Sequence, residues 1–121
     1  MSLERITFKH TGVEVRPHLQ DLVTEKLQTL ERFLGGKTDV KCEVEFAKVA
    51  PKRNGSVFRV EVNISSGGQL HRAEATEETF ERAIDEVRSE LESELQRART
   101  KKQSLWRKGA RKMKDMIRFG G

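Results

Sequence analysis

A single cysteine, Cys42, in a chain of 121 residues excludes an internal disulfide. The apolar residues alternating around it mark it as a small buried hydrophobe rather than a nucleophile. Hydrophobic residues are scarce as well, 35% against 36% charged, so the core must be economical and much of the chain must face water. No apolar run approaches the roughly 18 residues of a membrane span, and no apolar signal region follows Glu4 and Arg5, so the chain is expected to be cytosolic. His10, His18 and His71 stand far apart with no ligand at a metal-binding spacing, so no metal and no cofactor are expected. Gly35-Gly36 ends a helical pattern and Gly67-Gly68 joins two strand patterns, so neither is a phosphate-cradling loop between strand and helix. Ser65 and Ser66 lie in no nucleophile motif, and the acidic pairs Glu77-Glu78 and Asp85-Glu86 fall on a solvated helix face. No catalytic residue is expected, and the chain does not read as an enzyme.

What is present is segregated charge. Arg97 to Gly121 holds ten Lys/Arg and one acid, Asp115, whereas the residues before it hold fourteen Lys/Arg and eighteen Asp/Glu. The body is therefore about −4 and the tail about +9, which make up the net +5 of the whole chain. A basic block of this kind suits a polyanion, nucleic acid above all, with a merely solvated tail as the plain alternative. The length fits one small domain with an appendage.

Periodicity orders the elements. Ile6 and Phe8 alternate with polar neighbours until Thr11-Gly12, a short first strand. From Pro17, Leu19, Leu22/Val23, Leu27, Leu30 and Phe33/Leu34 recur at helical steps, with Gly35-Gly36 as the stop and Arg16 as a poor cap. Val40, Cys42, Val44 and Phe46 return to period two. They form a hairpin, through Asn54-Gly55, with a strand carrying Phe58, Val60, Val62 and Ile64. Gln69 to Ala75 makes a weaker fourth strand with one wet face. Thr76 is the expected cap of a second helix bearing Phe80, Ala83/Ile84, Val87, Leu91, Leu95 and Ala98, which should end near Gln103 with its far end projecting. The fold class is α+β in the order β-α-β-β-β-α, a four-stranded sheet with two helices packed on one face. Residues 1–103 form the domain and 104–121 a basic amphipathic extension.

Along the last helix the exposed face is acidic through Glu81, Asp85, Glu86, Glu90, Glu92 and Glu94, and then Arg97, Arg99, Lys101 and Lys102 reverse the sign. The macrodipole accounts for one or two cations at a helix C-terminus, not for ten. Beyond Ser104, Trp106, Ala110, Met113 and Ile117 recur among Arg107, Lys108, Arg111, Lys112, Lys114 and Arg118. That segment could thread an RNA groove, lie on an anionic membrane or dock on a protein with Trp106 as anchor. Gly109 and Gly120-Gly121 suggest that it is frayed alone and orders on binding.

Two stretches carry a family resemblance. Gly12-Val13-Glu14-Val15-Arg16-Pro17-His18-Leu19, with Glu25-Lys26-Leu27 and Leu30-Glu31-Arg32-Phe33, resembles the first-helix region of the ribosome hibernation-promoting factor and ribosome-associated translation inhibitor family. His71-Arg72-Ala73-Glu74-Ala75, then Ala83-Ile84-Asp85 and Leu91, resembles its later part, so the likeness covers roughly residues 4 to 102. The resemblance implies a β-α-β-β-β-α fold and a non-catalytic translation inhibitor acting under stress or in stationary phase. It would occupy the mRNA and A/P-site tRNA channel of the small ribosomal subunit against 16S rRNA. Carried onto this sequence, the rRNA contacts are Lys26, Arg32, Arg72, Arg88, Arg97, Arg99, Lys101 and Lys102. Trp106, Arg107, Lys108, Arg111 and Lys112 are further tail contacts expected from their own pattern rather than from the family. Arg16 stands where the family usually has Thr or Ser. The chain also stops without the separate C-terminal domain of long members, so a short-type protein is expected, monomeric off the ribosome and with no small-molecule substrate. The competing reading is a protein-interaction module that docks its Trp106 helix on a partner.

Overall fold

The structure, a computed structural model, describes residues 5–35, 39–51 and 55–119, with side chains described up to Lys101. Its elements are β1 (Ile6–Thr11), α1 (Pro17–Gln28), a 3-10 turn (Glu31–Phe33), β2 (Lys41–Lys48), β3 (Phe58–Ser66), β4 (Gln69–Glu77) and α2 (Phe80–Phe119). The sheet order is β1-β2-β3-β4, with β1 parallel to β2 and the other pairs antiparallel. This is the α+β order expected from periodicity.

Alternation decides the faces. Cys42, Val44 and Phe46 on β2, Val60, Val62 and Ile64 on β3, and His71, Ala73 and Ala75 on β4 are buried on one side. Over them lie Leu19, Val23 and Leu27 of α1 and Phe80, Ala83, Ile84, Val87, Leu91 and Leu95 of α2. Each large side chain so buried stabilises the fold by roughly 1.5–3 kcal/mol. Phe80 meets Phe46 edge-on at 5.3 Å and Phe58 at 4.9 Å, which seats the start of α2 on the sheet. Burial pushes the Cys42 thiol up to about 12, with the Glu43 charge adding to it, so this cysteine is an inert core group.

Three details differ from the sequence expectation. First, α1 stops at Gln28: the backbone bonding tightens to i→i−3, with the Leu30 N–H donating to the Leu27 carbonyl at 2.9 Å, while the Thr29 hydroxyl donates to the Lys26 carbonyl at 2.6 Å; the 3-10 turn that follows still leaves Leu30 and Leu34 buried. Second, Thr76 belongs to β4, opposite Arg59, and Thr79 caps α2 instead, its hydroxyl accepting from the Arg82 N–H at 3.2 Å. Third, α2 does not end near Gln103: its backbone continues through Gly109 to Phe119, 40 residues and about 60 Å. A strand of nine residues spans only about 30 Å, so the sheet covers the first half of α2 and the rest extends past it. Arg16 precedes α1 without a side-chain capping bond, as expected, and Pro17 opens the helix. Gly36 and Asn54, assigned to a helix stop and a turn, lie outside the described residues; Gly67 and Gly68, at φ 56° and 79°, make the β3–β4 turn. Among the described residues, no helix is long and apolar enough to cross a membrane.

Candidate nucleic-acid interface

The second helix is a ridge with cations on both flanks. Its apolar stripe faces the sheet, and positions 88 and 97 fall about 180° apart at 100° per residue, so Arg88 and Arg97 leave the stripe in opposite directions. Arg88 faces α1. There its Nε donates to Thr29 Oγ1 at 2.9 Å and its guanidinium pairs with Glu92 at 2.8 Å. Arg32, stacked over the Phe33 ring at 4.6 Å, reaches the same Glu92 carboxylate at 3.2 Å. One turn away Lys26 pairs with Asp85 at 3.2 Å. The structure thus gathers Lys26, Arg32 and Arg88 into one seam between α1 and α2.

On the other flank, Arg97 and Arg72 line one groove between α2 and β4, with Ser89, Glu90, Ser93 and Glu94. Arg97 pairs with Glu94 at 3.3 Å, whereas Arg72, at the sheet edge of this groove, pairs across the open sheet face with Glu61 at 3.0 Å and Glu74 at 3.3 Å. On the helix-covered face of β4, His71 is buried with its Nδ1 3.6 Å from Glu94. Arg99 and Lys101 continue the α1 and β4 flanks respectively, by their angular position. Both are exposed, and among the described residues neither has a carboxylate partner. The side chains of Lys102, Trp106, Arg107, Lys108, Arg111 and Lys112 lie outside the described residues, although the α2 backbone passes through all six positions.

Sequence reasoning missed two things. The first is the carboxylate beside each body cation. Asp85, Glu92 and Glu94 read as a solvated acidic face, and only the packing of α1 on α2 shows Glu92 between two guanidinium groups. The second is Arg59, the hub of the open sheet face. It joins Glu45 at 3.5 Å, Glu61 at 2.8 Å and Glu74, and Lys9 reaches Glu45 at 3.6 Å. Cross-strand register creates this network, and alternation alone does not reveal register. Burial raises Glu61, but the hydrogen bonds from Arg59 and Asn63 and the nearby Arg72 and Arg59 charges outweigh it and hold its carboxyl below the usual range. Arg59 holds Glu74 down in the same way. The open face is therefore a largely self-neutralised ladder of charge, whereas on the far part of α2 Arg99 and Lys101 have no carboxylate partner among the described residues.

Comparison with known proteins agrees with this architecture. A solved structure of the N-terminal domain of Protein Y from Thermus thermophilus superposes with a TM-score of 0.64 at 26% identity, covering 77% of this chain and 97% of that one. A ribosomal subunit interface protein from Coxiella burnetii has the same fold, with a TM-score of 0.64 at 21% identity over 79% of this chain and 98% of that one. The ribosome hibernation promotion factor of Mycobacterium tuberculosis is 33% identical over 98 residues, which are 80% of this chain and 44% of that protein, so this chain spans less than half of its relative's length. The sequence model of one family matches residues 5–103, nearly all of the described body, and the chain belongs to that family, described as Sigma 54 modulation protein / S30EA ribosomal protein.

Proposed function

We propose that this chain is a non-catalytic, cytosolic ribosome-binding translation inhibitor. It occupies the mRNA and A/P-site tRNA channel of the small subunit against 16S rRNA, under stress or in stationary phase. The observation that carries the reading is the two-flanked cationic ridge. A channel walled by RNA on both sides asks for positive charge on both sides of the element that enters it, and backbone contacts of this kind need no base readout. Lys26, Arg32, Arg88 and Arg99 serve one wall and Arg97 and Lys101 the other, with Arg72 at the neighbouring sheet edge and Lys102 adding charge next along the helix. The relative named as a ribosome hibernation promotion factor supports the same direction.

The extension 104–121 acts as a second part by function rather than by a break in the helix. Trp106, Arg107, Lys108, Arg111 and Lys112 add contacts farther along the RNA. The competing role for that extension, docking on a partner protein, is separated by truncation after Gln103. A truncated chain that still binds small subunits, more weakly, fits a body that docks first. Complete loss would make the tail the principal contact. The test of the main reading is co-sedimentation with purified small subunits at low salt, where binding is expected and its absence ends the proposal.

A further inference from the structure

We infer that Glu92 is a built-in competitor for phosphate that sets which RNA the α1–α2 seam accepts. The inference rests on the RNA-binding reading above but concerns selectivity. Two guanidinium groups converge on the one Glu92 carboxylate, Arg32 at 3.2 Å and Arg88 at 2.8 Å. Both are held in place independently of it, Arg88 by Thr29 at 2.9 Å and Arg32 by its stack on Phe33 at 4.6 Å. The Thr29 hydroxyl that accepts from Arg88 is itself fixed by donating to the Lys26 carbonyl at 2.6 Å. The seam therefore presents two placed cations that share a single internal anion.

This arrangement treats two kinds of RNA differently. A flexible strand offers one phosphate at a time, and that phosphate competes with a carboxylate already fixed within hydrogen-bonding distance. A folded RNA that carries two phosphates at the spacing of the guanidiniums delivers the second at high effective concentration once the first is seated. It can then engage the remaining N–H donors of both arginines and overcome the repulsion of Glu92. Asp85, 3.2 Å from Lys26, applies the same filter about two turns earlier. Glu92 thus lowers binding to generic RNA more than binding to the correct site, which is negative selection by a resident charge.

The test uses the full chain with Glu92→Gln, which keeps the shape and an accepting oxygen but removes the charge. Asp85→Asn is the second variant; Asp85 is 64% exposed and outside the core, so its loss leaves folding intact. Glu43→Gln, an exposed carboxylate on the opposite face of the sheet, changes net charge by the same amount and is the control. The probes are a fluorescent 20-nucleotide oligouridylate and purified small subunits, titrated from 50 to 200 mM salt. Glu92→Gln should bind the oligouridylate about three- to tenfold more tightly, with a salt slope steeper by about 0.7 for each phosphate newly neutralised. Its small-subunit affinity should change by less than about twofold by the same screening argument, so the ratio between the two falls. Asp85→Asn should act in the same direction by a smaller factor. Unchanged or weaker oligouridylate binding by Glu92→Gln overturns the inference, as does an equal gain in Glu43→Gln, which would make net charge the cause. If small subunits are not bound at all but the oligouridylate gain appears, the ribosomal reading falls and the filter stands; bound subunits without that gain leave the reverse.

Discussion

The unpaired cations should matter more than the paired ones. Arg99 and Lys101 are exposed with no carboxylate partner among the described residues, whereas Lys26 sits 3.2 Å from Asp85 and Arg72 lies 3.0 Å from Glu61. Each phosphate neutralised by an unpaired cation contributes about 0.8 to the slope of log K against log salt, which is about 1.1 kcal/mol at 0.1 M. The double variant Arg99→Gln/Lys101→Gln should therefore lose about 2.2 kcal/mol, roughly 40-fold, and flatten the slope by about 1.6. Lys26→Gln/Arg72→Gln removes the same formal charge, one residue from the α1–α2 seam and one from the sheet edge. It also frees carboxylates that those cations already neutralise, so its loss is the difference between RNA and internal pairing, and should be several-fold smaller. Fluorescence anisotropy of the labelled protein titrated with small subunits, from 50 to 200 mM salt, gives both affinity and slope. Equal losses in the two double variants, or no flattening in the first, would refute the argument that internal pairing discounts the body cations.

Three further outcomes test the scaffold. Leu91 is wholly buried between α2 and the sheet, and Leu91→Ala should cost about 3–4 kcal/mol in urea unfolding; a cost under about 1 kcal/mol would place it outside the core. Thr79→Ala should lose about 1 kcal/mol, with most of it kept in Thr79→Asn, while a neutral Thr79→Ala would remove it as the α2 cap. The carboxyls of Glu61 and Glu74 are held low, so their contribution is present above about pH 4.3 and disappears as pH falls through their folded values; thermal melts should decline there. Glu86 is opposite in sign: burial and the hydrogen bond with Glu77 raise it, so it opposes folding at neutral pH. Glu86→Gln should melt higher at pH 7, with no gain below about pH 4.

The faces of the fold were readable because burial follows period. Val60, Val62 and Ile64 could occupy only one side of a strand, and Phe80, Val87, Leu91 and Leu95 only one side of a helix. Boundaries set by a single hydroxyl were not. Thr76 and Thr79 offer the same chemistry three residues apart, and pairing of Thr76 with Arg59 on β3 decides which one caps. The candidate site was half legible. Its cations stand out in the sequence, but their distribution to two flanks of α2 follows from how that helix sits on the sheet. The role of Glu92 requires Arg32, sixty residues away, to arrive beside Arg88. The length of α2 was underestimated because Gly109 is weak evidence for a break: one glycine costs a long helix only about 1 kcal/mol.

Competition on the small subunit tests the central claim most directly. Labelled protein is titrated onto small subunits that are either empty or preloaded with a short mRNA and a P-site tRNA, and binding is followed by sedimentation at low salt. Occupation of the mRNA and tRNA channel predicts tight binding to empty subunits and its loss on preloaded ones. Equal binding to both, with mRNA and tRNA retained, would place the protein elsewhere on the ribosome and contradict the account.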